Sequence, residues 1–131
     1  MKRLIGVACL AAAAAALPAA AADIYVIANP GLQLTAEEAR EVFLGDKQFA
    51  GSVKILPFDN AAAQPEFLAK VLDMSANRYG TLWAKKGFRD GLNAPAVKAS
   101  DLEVLSAVRS TPGAVGYVTS APTGVTVIRK Y

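Results

Sequence analysis

Residues 53–73 read "VKILPFDNAAAQPEFLAKVLD", and a change of hydrophobic period inside this stretch decides the fold class. Val53 to Phe58 has the apolar and β-branched composition of a strand. From Pro65 onward, Phe67, Leu68, Val71 and Leu72 share one face at helical spacing. Pro65 falls in the first helical turn, where a missing amide costs nothing. A strand that turns directly into a helix is the building unit of an open α/β sheet. Between the two lies Asp59-Asn60 followed by three alanines. Such turns commonly hold anions, because the first amides of the helix have no carbonyl partner and point out of the turn as free donors.

The neighbouring segments repeat the alternation. "DIYVIANP" (23–30) reads as a buried strand ended by a turn. In "LTAEEAREVFLG" (34–45), Thr35 and Glu38 have capping-box spacing, Ala39, Val42 and Phe43 form the inner face, and Gly45 marks the stop. "DKQFAGS" (46–52) reads as a loop whose Phe49 folds back onto the core. Ser75 caps a helix over "ANRYGTLWAKKGF" (76–88), in which Tyr79, Leu82 and Trp83 form a core stripe rather than a ligand platform. "RDGLNAPAVKA" (89–99) reads as irregular. Ser100 and Glu103 repeat the capping-box spacing ahead of "DLEVLSAVRS" (101–110), with Leu102, Leu105 and Val108 expected inward. "TPG" (111–113) turns into a strand, "AVGYV" (114–118), and "VTVIRKY" (125–131) reads as a last strand. The order β-α-β-α-α-α-β-β predicts a mixed α/β sheet flanked by helices.

Composition excludes several function classes. The 131 residues contain no histidine and a single cysteine, Cys9. Histidine-dependent nucleophilic catalysis therefore lacks its base, and zinc, copper or haem sites lack their usual ligands. Glu37, Glu38 and Glu41 fall on one helix, where a solvated face accounts for them. No catalytic residue, metal or cofactor is expected, and the chain is not expected to be an enzyme.

The first 22 residues have the parts of a secretory signal peptide: Met1-Lys2-Arg3, an apolar run, and Ala20-Ala21-Ala22 as an A-x-A site. The run from Leu4 to Ala22 is long enough for a membrane anchor. Its alanine content and Pro18 favour cleavage over retention. Gly6, three residues before Cys9, argues against a lipid anchor. Cleavage leaves one domain, 23–131, with no cysteine and no membrane insertion. Without Lys2 and Arg3 the chain has 12 basic residues against 11 acidic ones, interspersed and without a basic stripe. Nucleic acid is not an expected partner.

Three segments taken in order resemble the phosphate-binding proteins of ABC transporters. They are "LTAEEAREVFLGDKQF", "FLAKVL" after a strand and turn, and "SDLEVLSAVRSTPGAVGYV". The resemblance, to short single-lobe members of that superfamily, implies one lobe of a type-2 periplasmic-binding fold in a periplasmic protein. It implies too that the strand-to-helix turn stands at the family's phosphate loop, where relatives carry Arg-Ser-Asp-Gly-Ser-Gly-Thr. Here the positions are Pro57-Phe58-Asp59-Asn60-Ala61-Ala62-Ala63, and only Asp59 matches.

A phosphate taken out of water needs donors for most of its oxygens, and the loop has lost nearly all its side-chain donors. The expected function is solute binding related to phosphate uptake, with weak or altered affinity. The expected ligand is a small oxyanion such as phosphate, held at Asp59, Asn60, Ala61, Ala62 and Gln64 together with Thr111 and Gly113 of the "TPG" turn. The alternative is a periplasmic interaction or scaffold module that has lost ligand binding and acts through a homodimer or another protein. Mass spectrometry of the protein recovered from an exporting bacterial host should give a mature chain beginning at Asp23. A chain that retains Met1 would contradict the cleavage reading.

Overall fold

The computed structural model describes residues 22–131. The segment read as a signal peptide thus lies outside the described residues except for Ala22. Within them, a five-stranded mixed sheet separates two layers of helices. Strand β1 (Tyr25–Ala28) leads to helix α1 (Ala36–Phe43), then a hairpin of β2 (Phe49–Ala50) and β3 (Val53–Lys54), and strand β4 (Leu56–Asn60). A short helix α2 (Gln64–Phe67) runs into a π-helical turn (Leu68–Leu72) and helix α3 (Ala76–Asp90). Strand β5 (Ala96–Lys98), helix α4 (Asp101–Ser110) and strands β6 (Ala114–Val118) and β7 (Thr126–Lys130) complete the chain. The sheet order is β5-β4-β6-β1-β7. Strand β4 is parallel to β5 and β6, whereas β1 is antiparallel to both β6 and β7.

Alternation along the central strands assigns side chains to the two layers. Val26 and Ala28 of β1 and Val115 and Tyr117 of β6 enter the larger core, with Phe43, Phe67, Leu72 and Trp83 from α1, α2, the π-turn and α3. Ile27, Ala114 and Val118 point the other way, onto Val104 and Val108 of α4. Gly116 lies on that second side. A Cβ there would come 2.7 Å from Val104 Cγ1, so the missing side chain is what lets α4 lie close to β6.

Several local readings hold. Thr35 and Glu38 form the reciprocal capping box, Glu38 N–H donating to Thr35 Oγ1 and Thr35 N–H to Glu38 Oε1. Ala39, Val42 and Phe43 are buried, as are Phe67, Leu68, Val71, Leu72, Tyr79 and Trp83. Arg40 reaches across to donate to the carbonyls of Val71 and Leu72, which the π-turn leaves free.

Other expectations are corrected. The strand "VKILPF" is two strands broken at Ile55, and the second continues through Asp59 and Asn60, which belong to strand rather than turn. Phe49 does not reach the core: it lies in the two-residue strand β2 and is 54% exposed. Part of the segment read as irregular is strand β5, whose three residues gain order only by pairing with β4. In α4 the inward residues are Val104 and Val108, while Leu102 is 77% exposed. Helix spacing alone permits either phase, and contact with Gly116 selects this one. Glu103 reaches the Ala99 amide rather than that of Ser100, so the second capping box is only half formed.

Gly113 carries a tertiary constraint. Its φ is +83°, and a Cβ would collide with the Lys54 carbonyl oxygen. Gly91 has a similar φ of +70° with open space around it. Both Gly→Ala variants should lower the urea midpoint. Gly91→Ala should cost about 1 kcal/mol, the ordinary penalty of the left-handed region. Gly113→Ala should cost about 2–3 kcal/mol, because backbone must also move.

Candidate functional site

The strand-to-helix turn sits at the carboxyl end of the parallel strands β4, β5 and β6, the edge at which open α/β sheets place ligands. Alternation turns Asp59 towards α3 and Asn60 towards α4. Asp59 is 2% exposed, and it accepts hydrogen bonds from Tyr117 Oη at 2.6 Å and Tyr79 Oη at 2.9 Å. Burial pushes its carboxyl above the ordinary aspartate value, with the hydrogen bonds from Tyr117, Tyr79 and Gln64 opposing that shift. The same burial, with the Asp59 charge alongside, raises both tyrosine hydroxyls, so they stay protonated donors.

Asn60 is fully buried and equally occupied. Its amide nitrogen donates to Asp101 Oδ1 at 2.8 Å and to the Tyr117 carbonyl at 3.1 Å. Asp101 in turn accepts from the backbone and hydroxyl of Thr119. The carboxyl edge is thus tied together by side chains from β4, α4 and the end of β6.

Three of the backbone donors at the turn, those of Ala61, Ala62 and Ala63, are also engaged. Ala61 N–H donates to the Lys98 carbonyl at 2.8 Å, and Ala63 N–H to the Asn60 carbonyl at 3.0 Å. Ala62 N–H donates to Asn60 Oδ1 at 3.1 Å. Ala61 and Ala62 are exposed, Gln64 is partly buried, and Ala63 packs into the core. Three consecutive amides of the turn therefore point to protein partners.

Thr111 and Gly113 lie elsewhere. Leu56 pairs with Ala114 and donates to the Gly113 carbonyl, so the 111–113 turn stands at the amino end of β4 and β6. Asp59 lies three residues further along β4, about 10 Å at strand rise. The expectation that these two turns frame one site is corrected: parallel pairing puts the start of β6 beside the start of β4, and the two turns occupy opposite ends. Tyr79, Tyr117, Asp101 and Thr119, which complete the carboxyl-edge network, were not among the expected residues. The one signal in the sequence was a pair of tyrosines inside otherwise apolar faces, since a buried hydroxyl requires a partner.

Comparison with solved structures adds a likeness of fold. The crystal structure of an ABC-type phosphate transport receptor from Vibrio cholerae superposes with a TM-score of 0.50 over 82% of this chain at 16% identity. The shared fold is periplasmic-binding-protein-like, a mixed α/β sheet flanked by helices. The chain covers 46% of the receptor, so it spans less than half that protein's length. No family model and no curated protein matches the sequence. At this identity the likeness is one of fold, and the turn's chemistry stands on its own residues.

The Asp59 cluster has a pH signature. A carboxyl whose pKa is raised on folding adds stability below its unfolded value of 3.8 and loses it as pH rises through the folded value. The Asp59→Asn variant lacks that component. Its stability relative to the parent should therefore improve as pH is raised from 3 into the window above 3.8, measured by urea unfolding. Tyr117→Phe removes one donor from a buried carboxylate and should cost about 1–3 kcal/mol at pH 7.

Proposed function

We propose that this chain is an exported, solute-binding-like protein of the phosphate-receptor kind, reduced to one lobe and unable to hold free phosphate tightly by itself. The observation that carries this reading is the state of the turn. Its position at the carboxyl end of β4 is that of an anion loop, yet the amides of Ala61, Ala62 and Ala63 and the side chains of Asp59 and Asn60 all have protein partners. A tight phosphate site would have to break these bonds without an arginine or hydroxyl side chain to replace them. Asp59, when ionised, would repel the dianion.

A second reading is favoured by the same closed hydrogen bonding: the lobe works as a periplasmic partner-binding or scaffold module. Such a module loses nothing by satisfying the turn internally.

Calorimetric titration of the purified protein with phosphate, sulfate and other oxyanions separates the two. Weak, saturable heat in the millimolar range supports the solute-binding reading. No heat and no thermal shift at millimolar ligand would sink it. In that case a homodimer in light scattering, or a partner retained from a periplasmic extract, is expected of the module. A strictly monomeric protein without partners would count against the module.

A further inference from the structure

We propose that the groove beside the β2–β3 hairpin binds a small amphipathic monoanion, an apolar body ending in a carboxylate. The groove has a volume of about 370 Å³ and runs between the end of α1, the hairpin, β4 and residues 92–96. That is within the range of small-molecule sites, which are mostly apolar with a few polar groups that orient the ligand.

Its apolar lining includes Phe49, Leu56, Pro57 and Trp83. Phe49 and Leu56 remain 54% and 37% exposed, although both are large side chains on strands. The charges beside them are of one sign. Lys47 and Lys54 line the groove and no carboxylate does. Among the described residues Lys54 has no ion-pair partner, and Lys47 has only a 3.7 Å contact with Glu38. Gln48 is already committed, its side-chain amide donating to the Gly45 carbonyl at 2.8 Å.

This combination selects a ligand class. An inorganic oxyanion would meet the lysines and leave the apolar lining in water. A neutral apolar molecule would cover the lining and gain nothing from the lysines. A medium-chain or aromatic carboxylate uses both. The inference is independent of the oxyanion reading, because the groove contains none of residues 59–64.

Trp83 lines the groove and is the only tryptophan in the sequence, so its emission reports occupancy. The purified protein would be titrated at constant ionic strength with octanoate below its micellar concentration, with octanol, and with inorganic phosphate. A saturable emission change with octanoate is expected, octanol binding should be about fivefold weaker, the contribution of one partly exposed ion pair, and phosphate should leave the emission unchanged. Lys54→Gln should bring octanoate close to octanol, and Leu56→Asp should abolish the octanoate response while a cooperative, if lower, thermal melt shows that the chain still folds. The proposal is overturned if octanoate gives no saturable change, if octanol binds as well as octanoate, or if both Lys54→Gln and Lys47→Gln leave octanoate affinity unaltered. A dimer in light scattering that persists at saturating octanoate and is lost in Leu56→Asp would instead assign the groove to a second copy of the chain. Calorimetric heat from phosphate, with no octanoate response, would leave the oxyanion reading standing while removing this one.

Discussion

A buried carboxylate without a cation is the constraint on which the carboxyl edge of this sheet depends. Among the described residues Asp59 reaches no lysine or arginine; it is held by two tyrosine hydroxyls, one from β6 and one from α3. Leaving either oxygen without a donor would expose the full desolvation cost of the group. The requirement thus couples strand β4 to β6, its neighbour in the sheet, and to the helix that covers both. Tyr117 is fixed further by packing, its ring stacked on Phe67 with centroids 3.8 Å apart and edge-on to Phe43. The polar contact and the aromatic cluster therefore position one another.

That arrangement has consequences for function. A turn at the carboxyl end of parallel strands can serve ligands only if its donors are free. Here Asn60 faces inward, accepts from Ala62 and donates to Asp101 and to the Tyr117 carbonyl. The side chain that reads as a polar ligand contact in the sequence is a structural clamp. The likeness to a phosphate receptor is a likeness of framework, and a framework by itself carries no loop chemistry.

How much of this was legible in the sequence depended on the range of the interaction. The Thr35–Glu38 capping box, the inner face of Ala39, Val42 and Phe43, and the face of Phe67, Leu68, Val71 and Leu72 rest on residues within a few positions of one another. They were readable because helix geometry fixes which neighbours meet. The strand β5 and the exposure of Phe49 depend on sheet partners remote in sequence, and no local pattern encodes them. Leu102 and Val104 are both apolar residues of one helix. Only the close approach of α4 to Gly116 determines which of them is buried.

The sequence by itself determined the class of the fold, the strand-to-helix turn and the poverty of that turn in phosphate donors. Those properties follow from hydrophobic period, capping and composition, all of which act locally. Tertiary structure alone decided that Asp59 and Asn60 are interior, that the amides of Ala61, Ala62 and Ala63 are occupied, and that Thr111 and Gly113 stand at the far end of the strands. The physical reason is register. Pairing Leu56 with Ala114 sets which ends of β4 and β6 coincide, and alternation from that point sends Asp59 to one layer and Asn60 to the other.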